Sequence, residues 1–170
     1  MKLDAYLRDV PDFPKPGIVF KDITPMLQSA PAMEEAIQQL ADLFAKDKVD
    51  KVAAIESRGF IFGVPLALKL GVGFIPVRKP GKLPWRTQSV NYMLEYGSGT
   101  LEIHEDAVTK GERVVIIDDL LATGGTARAA CELVERLGGR VVGCAFVVEL
   151  DFLQGRKKLT GQRIESLIRV

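Results

Sequence analysis

Residues 114–126 read VVIIDDLLATGGT. The opening run has no polar alternation, the pattern of a strand covered on both faces, and such strands belong to parallel sheets. The spacing predicts a strand over 113–119 ending at Asp118 and Asp119, a loop LLATGG, and a helix over 125–137. Open parallel sheets bind ligands outside the carboxyl ends of their strands, which is where the two acids and the loop fall. Unpaired N–H groups and the dipole at a helix N-terminus favour an anion. Gly124 and Gly125 let the backbone curl round it with no side chain in the way, and Thr123 and Thr126 add hydroxyl donors.

Ala122, Thr123, Gly124, Gly125 and Thr126 are therefore the candidate phosphate turn. The turn lacks the Gly-Lys-Ser/Thr ending of a nucleoside-triphosphatase loop and the spaced glycines of a dinucleotide fingerprint. Carboxylates repel phosphate but accept hydrogen bonds from sugar hydroxyls. Asp118 and Asp119 beside a phosphate site thus point to the diol of a ribose phosphate. Successive strand residues point to opposite faces, which favours hydroxyl contacts over chelation of one metal ion by both acids.

Working outward, VAAI (52–55), GFIPVR (73–78) and RVVGCAFVVEL (140–150) read as further buried strands. Helices are expected from the ESRG stretch to Leu70, and over 31–46 beginning at Pro31, a good first-turn residue. In the latter, Met33, Ile37, Leu40, Leu43 and Phe44 share one face. NYMLEY and GTLEIHE read as a pair of strands turning at Gly97-Ser98-Gly99. At the N-terminus a helix over Leu3–Arg8 is expected, then PDFPKPG, extended and helix-resistant, then IVFKDIT as a short strand or ordered loop. Strands alternating with helices imply an α/β fold, doubly wound, with a central parallel sheet flanked by helices. The 170 residues, with no composition break, form one domain over 1–170.

Hydrophobic residues make up 47% and charged residues 26%, and the net charge is +1. That balance gives no global pull toward nucleic acid or a membrane surface, so the phosphate site must be a local arrangement. No apolar stretch reaches the ~20 residues needed to span a bilayer, and the first residues lack a signal peptide's apolar core. Cys131 and Cys144 sit in apolar periodic segments and read as buried thiols of a cytoplasmic protein. His104, the one histidine, reads as a packing or surface residue, and the chain offers no metal cluster.

Ser57-Arg58-Gly59 follows the VAAI strand and lands on the same sheet edge as Asp118. Backbone N–H groups, the Ser57 hydroxyl and Arg58 there can hold a pyrophosphate. Arg78, Lys79 and Lys82 follow the next strand, and such cations stabilise negative charge on a bound group.

With these residues in view, VVIIDDLLATGGT resembles the phosphoribosyl pyrophosphate motif of the type I phosphoribosyltransferases, most closely that of the adenine-specific members. PDFPKPGIVFKDIT, ESRGF, VRKPGKLP, LEYG and LEIHEDA extend the resemblance over most of 11–150. It implies transfer of the 5-phosphoribosyl group to adenine. Relatives acting on hypoxanthine and guanine usually carry Asp where this chain has Ala122. It also implies a cis peptide at Glu56–Ser57, a hood over about 11–24, and a lid over about 79–96 carrying Glu95 and Tyr96. Glu95 and Arg58 are the implied catalytic groups, and Val19, Phe20, Lys21 and Ala122 form the implied adenine pocket. Many relatives have Arg in place of Lys21, and Trp85 departs from the small or polar residues usual at its position. Magnesium is implied as a passenger on the substrate's pyrophosphate rather than a protein-bound ion, and a homodimer as the assembly. Two rivals are an enzyme for another base (xanthine, hypoxanthine, guanine or orotate) and a non-catalytic regulator that binds nucleic acid. Ala122 and LEYG weigh against the first. The chain's length and the lack of an aromatic-interleaved basic stretch weigh against the second.

Overall fold

Residues 1–94 and 97–170 are described by the computed structural model. Leu3–Tyr6 form a single 3-10 turn, and the chain then makes an antiparallel hairpin of β1 (Arg8–Pro11) and β2 (Val19–Asp22). The expected helix to Arg8 is thus cut short. Arg8 is instead drawn into strand pairing opposite Asp22, and its Nε donates to that carboxylate at 3.0 Å.

A one-turn helix α1 (Thr24–Leu27) precedes α2 (Ala30–Leu43). The Ser29 hydroxyl caps α2 by accepting from Ala32 N, and Pro31 lies in the first turn, where no intrahelical donor is lost. The helix stops before the expected residue 46 because Phe44 leaves its axis and is fully buried in the core. Next come β3 (Lys51–Ile55), α3 (Arg58–Leu70) and β4 (Gly73–Val77). Gly71 ends α3 in the left-handed conformation.

A second antiparallel hairpin joins β5 (Thr87–Met93) to β6 (Ser98–His104). β5 begins four residues ahead of the expected start at Asn91, so part of the implied lid is strand. After it come β7 (Arg113–Leu121), α4 (Gly125–Arg136), β8 (Arg140–Glu149), two 3-10 turns over Asp151–Leu153 and Gly155–Leu159, and β9 (Ile164–Arg169).

β7 runs two residues past its expected end because β8 keeps pairing with it as far as Leu121 and Glu149. The five-stranded sheet has the order β4-β3-β7-β8-β9, with every neighbouring pair parallel. β9 had no counterpart in the sequence reading. Helices α2 and α3 cover one face, burying Leu40, Phe44, Phe62 and Leu66 against Val115 and Ile117. On the other face α4 and the β5–β6 hairpin bury Leu133, Val90 and Leu101 against Ile116 and Phe146. The alternation Val115, Ile116, Ile117 therefore feeds two separate cores, which is why VVII carries no polar residue.

Candidate active site

β3 pairs with β7 only as far as Ala54 and Ile117, whereas β8 accompanies β7 to its last residue. Past Ile117 the β3 side of β7 is unpaired, and the sheet is notched at its carboxyl edge. A cavity of about 350 Å³ opens there, lined by Glu56, Ser57, Arg58, Lys79, Tyr92, Asp118, Asp119 and Thr126, among others. Both acids reach it although they alternate along the strand, because the notch exposes both faces of β7.

The acids sit in different environments. Asp119 is buried and pairs with Arg58, whose Nε lies 2.7 Å from its carboxylate. Asp118 is half-buried and accepts from the Asp119 N–H at 2.9 Å. Burial and then the neighbouring Asp119 charge push the Asp118 carboxyl well above the usual range, against the pull of that N–H. Gly59 permits the approach of α3 to this edge, since a Cβ there would lie 2.9 Å from Asp118 Oδ1 and 3.2 Å from the Ile117 carbonyl oxygen.

A smaller adjoining cavity of about 70 Å³ is lined by Asp118, Leu121, Ala122, Thr123, Gly124, Thr126 and others. It lies where β7 turns into α4, whose first N–H groups have no acceptor within the helix. Gly124 holds this turn with a φ of 86°, a conformation glycine adopts without steric cost.

Ser57 and Arg58 open α3 on the opposite wall, and the peptide between Glu56 and Ser57 is cis, as the resemblance implied. Glu56 accepts from Arg78 Nε at 3.2 Å and from the Lys79 N–H at 2.7 Å. Arg78 is thereby engaged in holding the end of β4. Lys79 lines the main cavity, whereas Lys82 is exposed and does not.

Phe20 lies 5.9 Å beneath the Arg58 guanidinium and meets Phe13 edge-on at 5.2 Å, which ties the β1–β2 hairpin to the site. Val19 is half exposed, and Lys21 is paired with Asp9 at 2.6 Å. Trp85 is mostly exposed, with its backbone N–H donated to His104 Nε2 at 3.3 Å. Glu95 and Tyr96 lie outside the described residues.

Ile55, Glu56, Tyr92 and Leu101 line the cavity without having been singled out as site residues from sequence. Tyr92 and Leu101 lie on the inward face of the second hairpin, and alternation from buried Val90 to Tyr92 was the available signal. Cys131 and Cys144 are buried and free, with their sulfurs 3.4 Å apart. Among the described residues no helix is long and apolar enough to cross a membrane. Nor do three His, Cys, Asp or Glu side chains there gather as a metal site.

The phosphoribosyl transferase domain model matches residues 20–165, which is most of the chain. This protein belongs to the phosphoribosyltransferase family. Within the family it is similar to adenine phosphoribosyltransferases. The chain is 58% identical to the adenine phosphoribosyltransferase of Methylococcus capsulatus over 167 residues, 98% of either chain. The crystal structure of adenine phosphoribosyltransferase from Thermoanaerobacter pseudethanolicus superposes with a TM-score of 0.96 at 58% identity, covering 99% of this chain and 98% of that one. The Saccharomyces cerevisiae enzyme, solved with an imino-altritol bisphosphate and adenine, gives a TM-score of 0.91 at 44% identity, covering 97% and 96%. The fold is the type I fold expected from the sequence.

Proposed function

We propose that the protein transfers the 5-phosphoribosyl group of phosphoribosyl pyrophosphate to N9 of adenine, giving AMP and pyrophosphate. The observation that carries this reading is the joined pair of cavities at the end of β7. One is a glycine turn at a helix N-terminus, suited to a 5-phosphate, and the other is a cleft with acids on one wall and cations on the opposite wall. Whole-length identity to adenine phosphoribosyltransferases supports the choice of base.

In this reading the 5-phosphate rests on Ala122–Thr126, and Asp118 accepts from the ribose diol with Asp119 beside it. The α3 N-terminus, Ser57, Arg58 and Lys79 receive the pyrophosphate. Arg78 and Lys82 contribute at longer range, Arg78 through Glu56. Bond breaking at C1 leads, leaving an oxocarbenium-like sugar that adenine N9 attacks from the opposite face. The pyrophosphate takes the bonding electrons, and the cations stabilise its growing charge. Positioning supplies most of the remainder, with no covalent nucleophile required.

Val19, Phe20 and Lys21, on the hairpin coupled to Arg58, and Ala122 would flank the adenine. Residues 11–24 act as hood and 79–96 as lid, with Tyr96 in the lid and Glu95 relaying the N9 proton. Magnesium fits as a substrate passenger. Asp119 is already paired with Arg58, so the ion's oxygen ligands would come chiefly from the pyrophosphate, whose charge it would offset.

The exposed residues Ile61, Val64 and Leu68 on one side of α3 suit a homodimer contact, and buried free thiols suit the cytoplasm. Incubation with phosphoribosyl pyrophosphate, magnesium and adenine should yield AMP and pyrophosphate in equal amounts. Pyrophosphate with ribose 5-phosphate and no AMP would instead mean hydrolysis, and would refute the transfer.

A further inference from the structure

The segment after β8 takes no part in the site so far, yet it touches the phosphate turn from below. Gly155 is buried, and its backbone lies against that of residues 122–124. A Cβ added at Gly155 would collide with the Ala122 carbonyl oxygen and come within 2.9 Å of Leu121 Cδ1. A Cβ added at Gly124 would collide with the Gly155 carbonyl oxygen. Neither side of this contact has room for a methyl group.

The hold on Gly155 comes from its neighbours. Gln154 has a φ of 53°, a conformation a non-glycine residue keeps only where its surroundings over-determine it. Arg156 donates from Nε and Nη2 to the two carboxylate oxygens of Glu149, at 2.5 and 2.8 Å, and from Nη1 to the Ile164 carbonyl at 3.1 Å. The Glu149 side chain is only 3% exposed and also accepts from Ser166 Oγ at 2.5 Å. Burial pushes its carboxyl up, but the bonds from Arg156 and Ser166 and the charges of Arg156 and Arg169 outweigh this and hold it low. Glu149 is the register partner of Leu121, and Leu150 N donates to the Leu121 carbonyl at 3.0 Å. The fork therefore ties Gly155 to the very strand end from which the phosphate turn springs.

We propose that Gly155, held by the Arg156–Glu149 fork, is a positioning residue for the 5-phosphate: a backbone floor that sets the direction of the N–H donors of residues 122–126. This rests on reading those residues as the phosphate site. A floor made of glycine backbone supports the turn at closest approach, where any side chain would push it upward. A displacement of about 1 Å in a positioning element can cost ~100-fold in rate.

The test compares the parent chain with Gly155→Ala, Arg156→Met and Arg156→Lys. Ribose 5-phosphate binding is followed by calorimetry, and KM is measured for phosphoribosyl pyrophosphate and for adenine. Gly155→Ala and Arg156→Met should weaken ribose 5-phosphate and raise KM for phosphoribosyl pyrophosphate by ~10–100-fold, with KM for adenine within about twofold. Arg156→Lys keeps the charge but not the planar fork, and should fall between parent and Arg156→Met. A merely structural role would shrink the active fraction, lowering apparent kcat with both constants unchanged. That result overturns the proposal. If Gly155→Ala does not fold, the graded Arg156 pair decides alone. A parent chain that turns over adenine but fails to bind ribose 5-phosphate would overturn the phosphate assignment itself, leaving the transferase reading in place.

Discussion

Asp118 and Asp119 are neighbours in sequence with unlike electrostatic surroundings. Asp119 has its counter-charge in Arg58 at 2.7 Å. Asp118 has burial and a like charge against it, and its pKa is raised. Below about pH 4, its ordinary range, Asp118 is protonated in folded and unfolded chains alike and costs nothing. The cost builds as pH rises above about 4, where the unfolded chain ionises first, and is complete once pH passes the raised folded pKa. Asp118→Asn should therefore raise the Tm at pH 7, by about 2–4 °C for each kcal/mol recovered, and the gain should shrink as pH falls toward 4. The same variant should bind phosphoribosyl pyrophosphate more weakly. A Tm unchanged or lowered at pH 7 would show that Asp118 is not the strained acid. Glu95 carries a separate expectation: Glu95→Gln should lower kcat and leave KM for phosphoribosyl pyrophosphate near its parent value. An unchanged kcat would remove Glu95 from the proton path.

At the scale of elements, the β1–β2 hairpin shows how a pairing not written in the local sequence is held. Its closing residue Asp22 accepts from Thr24 Oγ1 at 2.6 Å, from Thr24 N at 2.8 Å and from Arg8 Nε at 3.0 Å. These partners, the Thr24 hydroxyl first, hold its carboxyl down to about 2. A depressed carboxyl stabilises the fold at pH values above its unfolded pKa of about 4 and loses that contribution as pH falls through the folded value. Asp22→Asn should lower the urea midpoint at pH 7, and the difference from the parent should close as pH falls from about 4 to 2. Equal midpoints at pH 7 would contradict this. Central strands were legible because burial on both faces writes itself into VAAI and VVII without reference to any partner. Of the hairpin, IVFKDIT was legible as a short strand or ordered loop, but β1 and its pairing were not, because Arg8 meets Asp22 across an intervening run of prolines, a relation no local pattern carries. Edge strand β9 alternates only weakly, with a single buried residue, Ile168. Of the site, the motif residues were legible from residue chemistry, while Tyr92 and Gly155 needed the third dimension. A lone glycine before two lysines and an arginine reads locally as a turn.

For the whole molecule, the decisive feature is the early end of β3 against β7. It turns a closed sheet edge into a cleft that α3, α4 and the second hairpin all face, so the cavity lining comes from segments far apart in sequence. The exposed apolar side of α3 belongs to the same scale. Sedimentation equilibrium should report twice the 18.6 kDa chain mass, and Leu68→Glu should lower it; a monomeric parent would refute the dimer. The central claim is transfer to adenine, and the most direct measurement is pyrophosphate release from phosphoribosyl pyrophosphate and magnesium with each base offered in turn. Adenine should exceed hypoxanthine, guanine and xanthine in kcat/KM by at least ~100-fold, as expected where a rejected base leaves buried polar groups unpaired. Comparable rates for guanine and adenine would contradict the account.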